Sequence, residues 1–314
     1  MKSPTLVPRG SCPLCRSTND SAFLNFPEIP VVQCGTCGFL YSSRVLAGDD
    51  LAAYYQDGFG SLRHRQGQRI NAMINAMVLS RLVHLGEVST ALDVGTGYGF
   101  LLKELCRRKG LQATGVELST QEAEFANNTL GVNVINAPLG DAGLKTESYD
   151  LVTSFEVLEH VPHPVAFLSE LADYVRPGGY LVVMTDNFGS RMAQSLGAGF
   201  PKWIPHSHIS HFSDVTLRRV LTDIDRLEVV KAVSFTPWEI LLRNLVYKIR
   251  GIRRTPAEAF NLETSLQTEM RGSYRCFTFR RLFNRLWARC AISSRMDGDL
   301  IYFICKKTGS RSAA

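Results

Sequence analysis

No stretch of this 314-residue chain approaches the roughly 20 consecutive apolar residues of a membrane-spanning helix, and the N-terminus lacks the apolar core of a secretory signal. Both absences place the protein in the cytoplasm. Charge is modest: charged residues are 20% of the chain against 45% hydrophobic, which excludes a disordered or fibrous chain. The length suits one large domain and a small one. Positive charge is concentrated between positions 236 and 298, where twelve Arg and Lys meet five Asp and Glu. That segment carries +7, which leaves the rest of the chain at −1 within the overall +6. So local an imbalance points to an acidic partner or to a solvated basic surface. Residues 6–11 read LVPRGS, a protease site common in expression vectors, and are set aside.

Half of the eight cysteines form two knuckles, Cys12-Pro-Leu-Cys15 and Cys34-Gly-Thr-Cys37, separated by eighteen residues. Each knuckle aims two thiolates at one point, so the set predicts a four-cysteine structural Zn2+ site. Gly38 follows the second knuckle, where a positive φ is often needed. A segment of about 40 residues buries little core, so the metal supplies folding energy. Disulfides would require an oxidising compartment. Cys106, Cys276, Cys290 and Cys305 have no partner spacing and are expected to be buried thiols.

After an expected helix at 68–85, Thr90-Ala-Leu-Asp-Val-Gly-Thr-Gly-Tyr-Gly99 reads as a short strand entering a glycine-rich turn, with a helix over 100–108. Glycine lets the backbone approach a ligand closely. A glycine turn alone is a weak signal. Asp93 sharpens it: an acid at the strand end suits a ligand with a cationic amino-acid moiety and repels a pyrophosphate. Glu117 ends the next strand about 20 residues on, where an acid takes the hydroxyls of a ribose. Further strands are expected at 132–136, 149–154, 180–185, 227–235 and 299–306. Their alternation with helices predicts a doubly wound α/β sheet with ligands at the carboxyl ends of its strands.

DVGTGYG, VELS, YDLVTSFEVLEHV and RPGGYLVVMTDN, in that order, resemble class I S-adenosylmethionine (SAM)-dependent methyltransferases over about residues 65–235. The resemblance implies a Rossmann-like seven-stranded sheet whose last strand is antiparallel. It implies SAM as cofactor, with Asp93, Gly95, Thr96, Gly97 and Gly99 at the methionine end and Glu117 with Leu118 at the ribose. Leu139, in the loop 137–141, would flank the adenine, and Phe155 or Glu156 would lie over the cofactor. Many relatives carry an acid directly after the third strand; this chain has Asn136-Ala137-Pro138.

Methyl transfer is an in-line displacement to which positioning contributes much, but a hydroxyl acceptor also needs a base or a metal. Glu156, Glu159 and His160, spaced E-x-x-E-H, share a face if helical and can converge on a divalent metal; His160 can instead act as general base. The segment resembles ubiquinone-pathway O-methyltransferases and small-RNA terminal 2′-O-methyltransferases. The alternative is a purely structural loop. His206, His208 and His211 lie among Ser and Pro, a poor composition for a core, so they are expected to face substrate, with His208 and His211 as catalytic candidates.

Residues 238–254 read as a basic amphipathic helix, either lying on a membrane or, as preferred, packed as a cap; residues 274–289 mix aromatics with arginines, which could stack bases but more commonly form a cap helix. The expected organisation is a zinc-ribbon-like module at 1–44, a helical linker or lid at 45–88, the SAM-binding core at 89–235, a basic helical cap insertion at 236–298 and a final strand and tail at 299–314. The cysteine module before such a core also resembles sugar C-methyltransferases, although the chain is too short for their extra C-terminal domain. The expected activity is O- or C-methylation of an acidic small molecule or glycan, phosphorylated or lipid-linked, with peripheral membrane contact open. The alternative is an RNA methyltransferase gripping phosphates with the module and cap.

Overall fold

A computed structural model describes residues 5–57, 62–250 and 274–309. Thirteen strands run through these residues. Five precede the core: β1 (Leu6–Pro8), β2 (Asp20–Leu24), β3 (Val31–Cys34), β4 (Leu40–Ser42) and β5 (Arg44–Leu46). The core contributes β6 (Thr90–Val94), β7 (Gln112–Glu117), β8 (Asn133–Asn136), β9 (Tyr149–Phe155), β10 (Val175–Asp186), β11 (Ser210–His211), β12 (Leu227–Phe235) and β13 (Leu300–Lys307). The principal helices are α1 (Gly48–Asp57), α2 (Leu62–Leu82), α3 (Phe100–Leu105), α4 (Thr120–Phe125), α5 (Pro164–Tyr174), α6 (Arg191–Leu196), α7 (Asp214–Asp223), α8 (Trp238–Arg250) and α9 (Phe277–Ala291).

The main sheet has the order β12-β13-β10-β9-β6-β7-β8. The strands from β8 to β10 pair in parallel, and β13 is antiparallel to both β10 and β12. β9 is buried along most of its length, and continuous apolar burial is what helices on both faces of a parallel sheet demand. One apolar layer joins α2 and α3 to the sheet; the other joins α5 and α7. From β6 the chain winds outward through β7 and β8, then returns to β9 on the other side. The crevice at that reversal, beyond the carboxyl ends of the strands, is where such sheets bind ligands. α2 begins six residues earlier than expected, and α3 is shorter than the expected helix, ending at Leu105 with turns to Arg108.

Sequence reasoning treated the N-terminus as a small unit held by metal. The structure joins it to the core. β2, β3 and β4 form a sheet whose fourth strand is β11, supplied by the core. Phe39 packs on Phe212 with ring centroids 4.9 Å apart, and Cys12, Cys34 and Tyr41 belong to the same apolar layer as α5 and α7. The LVPRGS segment, set aside above, is part of this fold. β1 pairs with β5, and the Arg9 guanidinium donates to the carbonyls of Pro162 (2.5 Å) and Ile209 (2.7 Å). Gly38 adopts φ +74°.

Among the described residues the cap contributes two helices, α8 and α9. Residues 251–254 of the first expected helix, like all of 251–273, lie outside the described residues. α9 docks through buried Ala288, and the Trp287 indole donates to Thr236 O at 2.8 Å. Of the four cysteines expected to be buried, only Cys305 is. Cys106, Cys276 and Cys290 are exposed at the ends or outer faces of short helices, where an apolar neighbour in sequence is no guarantee of burial.

Candidate functional site

A cavity of about 1150 Å³ opens at the carboxyl ends of β6 to β9, walled by α2 on one side and the loop 202–208 on the other. Its cofactor half is built from the ends of β6 and β7. Asp93 is buried, and both carboxylate oxygens accept threonine hydroxyls, Thr96 Oγ1 at 2.7 Å and Thr153 Oγ1 at 2.6 Å. Burial outweighs these two bonds and raises its pKa. Glu117 accepts the amides of Gly97 (2.8 Å) and Ser119 (2.9 Å) and so ties the glycine turn to the second strand. Burial, then the nearby charge of Glu122, pushes its carboxyl up to about 7.

Gly97 has φ +56°, and a Cβ there would stand 2.3 Å from Gln68 Oε1. The turn is thus closed from above by α2, where Gln68 Oε1 accepts the Tyr98 amide at 2.8 Å and Gln68 Nε2 donates to Glu122 at 3.1 Å. Gly95, Thr96, Leu118, Leu139 and Phe155 line the cavity as expected of cofactor-binding candidates. Gly99 does not. It caps α3 at φ +74°, and a Cβ on it would meet Ala126 and Val132, so its need for glycine comes from helix packing. His64, Gln68 and Asn71 of α2 also line the cavity, and sequence reasoning passed over them. Polar residues one turn apart on a helix read as a solvated face until tertiary structure closes over them.

The acceptor half centres on residues 156–160, expected to be helical. They form a turn instead, with Glu156 at φ +57°. The Glu156 side chain therefore leaves Glu159 and His160 and accepts Asn71 Nδ2 at 2.6 Å. The group that converges is Glu159, His160 and His208, each offering one ligand atom, all within 4.8 Å of one another. His160 Nδ1 lies 2.9 Å from Ser207 O. A carbonyl only accepts, so Nδ1 is the donor of this bond.

Behind this group Asp186 is wholly buried, 2.8 Å from Lys202 Nζ and 3.0 Å from His208 Nδ1. Burial alone would raise the Asp186 carboxyl; Lys202 and His208 outweigh it and hold it well below the usual carboxylate range. Burial likewise works against charge on His208, but Asp186 raises its pKa. Neither Asp186 nor Lys202 was anticipated. Nothing in a strand-end Asp and a Phe-Pro-Lys-Trp turn announces that they meet.

The expectation that the histidine segment faces substrate holds geometrically for His208 alone. His206, His208 and His211 are all buried. Of the three, only His208 lines the cavity; His211 sits between Phe188 and Trp203, with ring centroids 4.5 and 4.8 Å away. Pairing decides this. β11 is held by β4 on one side, and the Glu159 carbonyl accepts the amides of Ile209 (2.8 Å) and Ser210 (3.0 Å) on the other. His206 and His208 precede this strand in the turn 205–208, and the ties on either side of β11 fix where that turn sits.

At the far end of the module the four knuckle sulfurs are mutually close, Cys12 to Cys37 at 3.6 Å and Cys15 to Cys34 at 3.5 Å, and none forms a disulfide. Sulfurs bound tetrahedrally to zinc at about 2.3 Å stand roughly 3.8 Å apart, so the cluster fits a zinc-binding module.

The profile of a family described as a methyltransferase domain matches residues 63–230, more than half of the chain. Among curated proteins, the ubiquinone biosynthesis O-methyltransferase of Serratia proteamaculans is 34% identical over 125 residues, 38% of this chain and 51% of that protein. Its namesake in Burkholderia ambifaria is 39% identical over 103 residues, 31% and 44% of the two chains. The chain thus spans about half the length of these relatives. Among solved structures, a SAM-dependent methyltransferase of Thermotoga maritima, described as a possible histamine N-methyltransferase, aligns with TM-score 0.49 at 18% identity, over 76% of this chain and 89% of that one. With the profile covering more than half of its length, the chain belongs to this methyltransferase-domain family.

Proposed function

We propose that this protein methylates an oxygen of a small-molecule acceptor. The proposal rests on one observation: Glu159, His160 and His208 bring their ligand atoms within 4.8 Å of one another on the wall of the cavity. A sulfonium methyl is already activated, but a hydroxyl must shed its proton as it attacks. His160 Nε2 is placed to take that proton, with the imidazole oriented by Ser207 O. Glu159, His160 and His208 also form a carboxylate–bis-imidazole donor set that suits a divalent cation. Such an ion would supply Lewis-acid acidification of the hydroxyl. The relatives' O-methyltransferase names agree with an oxygen acceptor. In the cofactor half, Asp93, Gly95, Thr96 and Gly97 take the methionine end of SAM, Glu117 its ribose, and Leu118 and Leu139 the adenine. Cys12, Cys15, Cys34 and Cys37 hold a structural zinc.

The test is calorimetry with SAM and S-adenosylhomocysteine, followed by methyl transfer to a panel of phenols, enols and alcohols with and without chelator. Loss of turnover on chelation that leaves the module's zinc in place, regained with magnesium or manganese, assigns the metal role. Chelator-insensitive turnover that falls at low pH assigns the base. A folded chain that binds neither ligand overturns the proposal.

A further inference from the structure

The two cap helices carry apolar side chains on their outer side as well as their inner one. A surface helix normally turns its apolar stripe to the core. On α8, Asn244 is buried with Ile240, while Leu241, Leu242, Leu245 and Ile249 are exposed, Ile249 to 76%. On α9, Asn284 and Ala288 are buried, while Phe279, Leu282, Phe283 and Leu286, at i, i+3, i+4 and i+7, are exposed. These eight outnumber all other large apolar side chains exposed among the described residues, so solvent-facing hydrophobicity is gathered on these two helices. The helices touch. The Trp238 and Phe283 rings are 4.8 Å apart, and Glu239 accepts Asn284 Nδ2 at 2.7 Å and pairs with Arg280 at 3.4 Å.

The charge around the stripes has one sign. α9 carries Arg280, Arg281, Arg285 and Arg289 and no acid, and the one acid of α8, Glu239, is already engaged. We propose that α8 and α9 form a docking surface for an anionic membrane, with the apolar stripes entering the acyl boundary and the arginines meeting headgroups. Two observations favour lipid over other occupants. Six of the eight exposed side chains are aliphatic, which suits acyl chains and gives nucleobases nothing to stack on. A second copy of the chain would bring one +7 segment against another. The surface also adjoins the site. Tyr274, just before α9, lines the cavity, its ring between the guanidiniums of Arg63 (5.5 Å) and Arg280 (4.5 Å). Docking would bring the cavity wall to the bilayer, whatever atom is methylated there.

The test is sedimentation of the full chain with vesicles of equal parts phosphatidylglycerol and phosphatidylcholine, or of phosphatidylcholine alone. The chain should partition at least tenfold more strongly to the anionic vesicles at low salt, and less as salt rises. Ile249→Glu with Leu282→Glu should abolish the interaction. Arg285→Gln and Arg289→Gln should each weaken it roughly fivefold, the equivalent of ~1 kcal/mol per cation. SAM binding and thermal melting of each variant, unchanged from wild type, establish that the fold is intact. Absence of binding, equal binding to both vesicle types, or full binding by both sets of variants overturns the proposal. So does a dimer in analytical ultracentrifugation that the paired Glu substitutions split.

Discussion

The two additions to the methyltransferase core attach to it in opposite ways. The N-terminal module directs its bonds inward. Its β4 takes core strand β11 as a neighbour, Ser42 Oγ donates to Pro205 O at 2.8 Å, and Arg9 reaches two carbonyls beside the E-H turn. The loop carrying His208 is therefore held from behind by the module and from the front by Glu159. The cap docks through Phe277, Trp287 and Ala288 and turns a second apolar face to solvent. An appendage bonded backbone to backbone with a loop that lines the cavity acts as scaffold for it. One that keeps an apolar face outside acts as a surface.

The comparison breaks most forcefully at the knuckles. A structural zinc site contributes on the order of 10 kcal/mol to folding, so Cys34→Ser should unravel the module and release β11 with it. Turnover is expected to vanish while calorimetry still detects SAM, because Asp93 and Glu117 lie outside the module. Full turnover in a zinc-free variant would detach the module from the site. Next in size, His160→Ala should cost about 10²–10⁴ in turnover, the usual contribution of a positioned base, with SAM affinity unchanged. Full activity in that variant would reduce the turn to a structural element.

Arg9→Ala removes the charged donor's bonds to Pro162 O, Ile209 O and Ser210 Oγ, the two shorter ones each worth about 1.5–3 kcal/mol. Its melting temperature should fall and turnover should drop more than SAM affinity; a variant altered only in SAM affinity would contradict the bracing role. Glu117→Ala should weaken SAM binding by about 1–3 kcal/mol. The same residue carries a pH signature. Its carboxyl is raised from 4.5 to about 7, so the folded, ligand-free protein holds a proton that the unfolded chain has lost. Stability from this group is full below about 4.5 and is lost as pH rises through 7. SAM affinity should rise over the same interval, because ribose hydroxyls donate best to the ionised form. Glu117→Gln should flatten both slopes. The smallest effect belongs to the cap: Ile249→Glu, at an exposed position, should move stability by less than about 0.5 kcal/mol. A large destabilisation would mean that this face is covered in the folded protein.

The sequence by itself determined the cofactor half, because close backbone approach and strand-end acids are local demands. Asp93, Gly95, Gly97 and Glu117 sit within a few residues of the strands that place them, and periodicity and spacing find them. The four cysteines were legible for the same reason, since a knuckle is defined within four residues. Tertiary structure alone decided the acceptor half. Whether E-x-x-E-H is a helix face or a turn depends on how β9 meets α2, and the turn sends Glu156 to Asn71 and Glu159 to His208. Asp186 meets Lys202, and Arg9 meets Pro162 across 153 residues, only once the sheet has closed. The histidine segment showed the limit most clearly. Composition suggested a face toward substrate, but the packing of the turn before β11 brings only His208 to the cavity. The cap showed it in the other direction. Helical spacing marked an apolar stripe, and only packing could reveal that the stripe points to solvent, because an amphipathic helix carries no record of which neighbour, protein or lipid, will cover it.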